Sequence, residues 1–64
     1  MGRRAGGGLG EERRKELFRL LVLAQDYHMS VPESRAMLSE RFGVTEDEVR
    51  RIEREGIAAR WSPL

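Results

Sequence analysis

The chain has 64 residues, a formal net charge of +1 and no cysteine, which bounds it to one domain and excludes disulfides and thiolate metal sites. Twelve basic against eleven acidic side chains lack the strong positive excess that marks many nucleic-acid binders. No apolar run approaches the roughly 18 residues of a membrane span. One histidine cannot build a zinc site alone, so no metal, cofactor or small-molecule substrate is expected.

Residues 1–10 carry five glycines and two arginines, Arg3 and Arg4. With so little to bury, this stretch reads as a flexible arm preceding a helical domain over 11–64. No hydrophobic segment follows the arginines, so no signal peptide is read and a soluble cytoplasmic protein is the expectation.

The absence of glycine and proline from Glu11 to His28 predicts a first helix there. Glu11 and Glu12 at its start suit the helix dipole. Leu17, Leu20, Leu21, Ala24 and His28 share one face at helical spacing. Phe18, Val22 and Met29 lie on the next, with Gln25 between. An apolar surface this broad calls for burial on more than one side. A domain of this size has few neighbours to supply that, and small chains often gain stability from a partner subunit. A homodimer is therefore expected, with Phe18, Leu21, Val22, Gln25 and Met29 at its interface. Two short helices clamping the first are the alternative.

A second helix is predicted from Ser30-Val31-Pro32-Glu33. Ser30 is an N-cap, Glu33 completes a capping box and Pro32 is tolerated in the first turn. Its inward face reads Val31, Ser34 or Arg35, Leu38 and Phe42, with Met37 at the edge. Gly43 then ends it as a residue able to take positive φ. The third helix starts at Thr45-Glu46-Asp47-Glu48, with Thr45 and Glu48 as a second capping box. Val49, Ile52 and Gly56 line one side, and Ile57 and Trp61 continue an adjacent one. Gly56 reads either as a pause in the helix or as a point of close helix approach. Ser62-Pro63 stops the helix, and Trp61 is expected to fold back as a lid on the core.

The fold class is thus all-α, a three-helix domain whose last two capped helices, joined at a tight glycine turn, form a helix-turn-helix. An ordinary helical hairpin with the same core is the alternative. Residues 34–56, SRAMLSERFGVTEDEVRRIEREG, resemble the C-terminal helix-turn-helix of bacterial sigma-70-type factors, most closely at Gly43-Val44-Thr45 and Glu48-Val49-Arg50-Arg51-Ile52-Glu53. The resemblance implies that the second of these helices reads the major groove of duplex DNA. It places Thr45, Asp47, Glu48, Arg50, Arg51 and Arg54 on or beside the DNA-facing side, with Val49 and Ile52 in the core.

The residues themselves complicate that implication. Glu46-Asp47-Glu48 puts three carboxylates at the end that usually faces bases and phosphates. Arg50 and Arg54 share a face and can straddle a phosphate, or they can pair with Glu46, Asp47 and Glu53. Arg13, Arg14 and Lys15 form a second basic group, open to phosphate, to an acidic partner or to solvent. Asp26, Tyr27 and His28 are consecutive and point in different directions, so they form no relay; His28 is read as capping the first helix. No catalytic residue is expected. Two functions remain: a small, dimeric DNA-binding or transcription-associated protein, or a protein-interaction or structural module without a DNA role.

Overall fold

A computed structural model describes residues 9–64, so most of the expected arm at 1–10 lies outside the described residues. Three helices follow one another: α1 (Glu11–Asp26), α2 (Val31–Phe42) and α3 (Glu46–Ala59). Each packs on the other two, and no strand occurs among the described residues. The domain is all-α with three helices.

Local chemistry sets most of the boundaries. Gly10 is the N-cap residue of α1 without a side-chain hydrogen bond. The helix ends two residues earlier than its apolar pattern suggests. Tyr27 is the C-cap, and His28 turns the chain at φ 71°, a left-handed conformation unusual for a side-chain-bearing residue. His28 therefore closes α1 through its backbone, its N–H donating to the Gln25 carbonyl, and not as a side chain on a helical face.

The start of α2 forms the full capping box: the Glu33 N–H donates to Ser30 Oγ, and the Ser30 N–H donates to Glu33 Oε1, each at 3.2 Å. Gly43 ends the helix at φ 68°. Ser39 then fixes the turn, its hydroxyl donating to the Val44 carbonyl at 2.7 Å while its own carbonyl accepts from the Val44 N–H. At α3 only half of the expected box forms. The Glu48 N–H donates to Thr45 Oγ1 at 3.1 Å, whereas the Glu48 carboxylate lies 3.6 Å from Arg51.

The core is Leu17, Phe18 and Leu21 from α1, Leu38 from α2, and Val49 and Ile52 from α3, with Phe42, Val44 and Trp61 packed against it. Leu9, just before α1, also packs on this cluster. Complete burial of a Leu or Phe side chain contributes roughly 1.5–3 kcal/mol.

Gly56 does not interrupt α3. A Cβ there would meet the Phe18 ring 2.6 Å from its Cγ, so glycine is what lets α1 and α3 approach. Trp61 extends this contact, meeting Phe18 edge to face at a centroid distance of 6.1 Å.

Three apolar positions lie outside the enclosed core. Ile57 is 56% exposed, because α3 turns its Val49–Ile52–Gly56 side to the core and carries Ile57 round to solvent. Val31, expected on the inward face, sits at the first turn of α2 and is exposed. Leu20 reaches the core only at its rim.

Candidate nucleic-acid interface

The sides of α3 are divided by charge. Its two flanks carry Glu53 and Glu55, and both are used to fasten the helix. Arg35 of α2 donates to Glu53 Oε1 from Nε at 3.3 Å and from Nη2 at 2.9 Å. Arg14 of α1 holds Glu55 with two parallel bonds, Nε to Oε1 at 2.9 Å and Nη2 to Oε2 at 3.0 Å, and donates a third from Nη1 to the Leu9 carbonyl at 2.8 Å. Such two-pronged pairing fixes geometry as well as charge. The hydrogen bond to Glu55 is the main reason the Arg14 pKa is raised above its ordinary value.

The outward side of α3 is different. Asp47, Arg50, Arg51 and Arg54 are exposed and line one shallow depression. Arg50 Nη2 donates to Asp47 Oδ1 at 2.7 Å, and Arg51 sits beside the half-buried Glu48. Among the described residues, Arg54 has no ion-pair partner. Neither Glu53 nor Glu55 pairs with an α3 arginine, because each is drawn off by another helix. Three guanidiniums beside two carboxylates, Asp47 and Glu48, give this side a small positive excess, carried by Arg54. Exposed pairs such as Arg50–Asp47 are worth at most about 1 kcal/mol, so a phosphate can displace them.

Of the second basic group, Arg13 and Lys15 border one open groove together with Glu12 and Glu16, and Arg14 does not join them. Arg13 lies over the Phe42 ring, 4.7 Å from its centroid, and pairs with Glu16 at 2.9 Å. Arg14 is committed to Glu55 and Leu9. Lys15 lies 3.4 Å from Glu11, with its Nζ 5.9 Å from the Trp61 ring centroid. Thr45 is exposed but spends its hydroxyl on the N-cap of α3.

The residues expected at an oligomer interface also separate. Phe18 and Leu21 are each 1% exposed within the single chain, so they have no surface left for a second copy. They face inward because α2 and α3 both pack on α1, the clamped arrangement open from the sequence. Gln25 donates to Ser34 Oγ at 3.3 Å, supporting the one buried polar side chain among the described residues, whose hydroxyl donates to the Val31 carbonyl at 2.9 Å. Val22 and Met29 keep intermediate exposure, with Val22 packed against the core.

Sequence reasoning missed the pairs Arg14–Glu55 and Arg35–Glu53, which join residues 41 and 18 positions apart. No local signal marks them. Searches of protein-family models, curated proteins and solved structures found no match to the chain. No helix among the described residues is long and apolar enough to cross a membrane.

Proposed function

We propose that this chain is a non-enzymatic helix-turn-helix protein that binds duplex DNA with α3, acting as a pair of copies. The observation that carries the reading is the sorting of charge on α3. Its flank carboxylates Glu53 and Glu55 are tied to Arg35 and Arg14, which leaves Arg50, Arg51 and Arg54 grouped outward. The reading gains support from the turn at Gly43, from its reinforcement by Ser39, and from the resemblance of residues 34–56 to the sigma-type helix-turn-helix. In this docking the outward side of α3 enters the major groove, and the arginines bind phosphates or guanine edges. Glu46 stays exposed at the leading end and acts against backbone contact, while Asp47 is offset by Arg50.

Fluorescence anisotropy with labelled duplex DNA at low salt tests this. Binding that falls steeply as salt rises supports it. No binding at low salt, or binding unchanged by Arg50→Ala with Arg54→Ala, contradicts it.

A second reading is a transcription-complex or other protein-interaction module with no DNA role. It is favoured by the acidic first turn of α3 and by exposed apolar side chains on α1. In that case the same arginines meet an acidic protein, and duplex DNA gives no saturable signal.

A further inference from the structure

The solvent side of α1 is unusual in what it leaves uncovered. The core takes Leu17, Phe18, Leu21 and Ala24, one side of the helix. A neighbouring side carries Leu23 and Tyr27, with Leu20 between them and the core rim, at spacings of three and four that place them in one stripe. Leu23 is 41% exposed and Tyr27 78% exposed, the latter the most exposed large hydrophobic side chain among the described residues. Arg19 and Asp26 border this stripe, both exposed and without an ion-pair partner among the described residues. They lie seven residues apart, two helical turns or roughly 10.5 Å along the axis, with Leu23 near their midpoint.

This pattern is complementary to itself. In an antiparallel two-fold pairing of α1 with a second α1 centred beside Leu23, each Arg19 lies opposite the other copy's Asp26. Both ion pairs then bracket the Leu23 contact, and Leu20 and Tyr27 cover its edges. A parallel pairing sets Arg19 against Arg19 and Asp26 against Asp26, which charge repulsion disfavours. Isologous contact of this kind is the commonest way for two identical chains to join.

We infer that the partner for this surface is a second copy of the chain, docked antiparallel along Leu20, Leu23 and Tyr27 with reciprocal Arg19–Asp26 pairs. The inference takes the pairing of copies from the proposed function but moves the interface to this neighbouring side of α1. It leaves the outward side of α3 uncovered in both copies.

Analytical ultracentrifugation of the full chain without DNA, across the micromolar to millimolar range, reads the mass directly. Its outcome is therefore independent of whether DNA is bound. A reversible monomer–dimer equilibrium is expected. Leu23→Glu, at an exposed position that leaves helicity intact by circular dichroism, weakens it by about tenfold or more. Arg19→Asp alone and Asp26→Arg alone each weaken association, and the double variant restores it, because the charges are exchanged and remain complementary. A wild-type chain that stays monomeric throughout overturns the inference. So does association indifferent to Leu23→Glu, or a double variant as weak as the single ones.

Discussion

The α2–α3 pair takes its shape from contacts close along the chain, whereas α1 takes its orientation from the two helices packed on it. In the pair, boundaries are written locally. Ser30 and Glu33 cap one helix, Gly43 ends it and Thr45 opens the next, and each makes its contact within a few residues of chain. In α1 the apolar positions are correctly helical, but which of them face inward depends on where two other helices lie. Phe18 and Leu21 have the spacing of an outer interface and are core, whereas Leu23 is left outside. Caps and turns are local chemistry, while the partition of a broadly apolar helix is a tertiary outcome.

Truncating one leucine on each side of that partition gives the largest contrast. Leu38→Ala, at a fully enclosed position, is expected to destabilise the fold by about 2–5 kcal/mol in chemical denaturation. Leu23→Ala, on the outer side of α1, should stay within about 0.5 kcal/mol at concentrations where the chain is monomeric. Equal losses would erase the distinction between the two sides. Gly56→Ala comes next. Helix propensity favours alanine by about 1 kcal/mol, but overpacking against Phe18 costs about 1–3 kcal/mol. A net destabilisation of up to about 2 kcal/mol is expected, and a more stable variant would contradict the close approach of α1 and α3.

Gly43→Ala sharpens the local half of the comparison. It should cost about 1 kcal/mol through the left-handed backbone alone, since nothing crowds a Cβ there. Thermal unfolding that does not move would show that the turn relaxes. The smallest effect belongs to Glu55→Gln. Losing a partly exposed two-pronged pair should lower stability by about 1 kcal/mol or less, with the difference shrinking in high salt. A loss that salt does not reduce would point to packing in place of charge.

The three helices, the left-handed Gly43 and the inward Val49, Ile52 and Gly56 were all legible in the sequence, because periodicity and caps act over short range. The arginines of α3 were legible as residues but not as a surface. Glu53 and Glu55 lie close enough along the chain to be counted against them, and only the folded domain shows these carboxylates drawn off by Arg35 and Arg14. The withdrawal of Arg14 from Arg13 and Lys15 was equally hidden, since consecutive residues on a helix meet different neighbours. Val31 was misplaced for a related reason: its spacing suits the inward face of α2, and packing left it exposed.

The salt dependence of duplex DNA binding tests the central claim most directly. The logarithm of the binding constant should fall linearly with the logarithm of salt concentration. The slope should shrink by about one for each phosphate-contacting arginine removed among Arg50, Arg51 and Arg54. Arg13→Ala, off that surface, should leave the slope unchanged. A slope that stays constant when the α3 arginines are removed, or one that responds equally to Arg13, would contradict the assignment of α3 as the DNA-binding face.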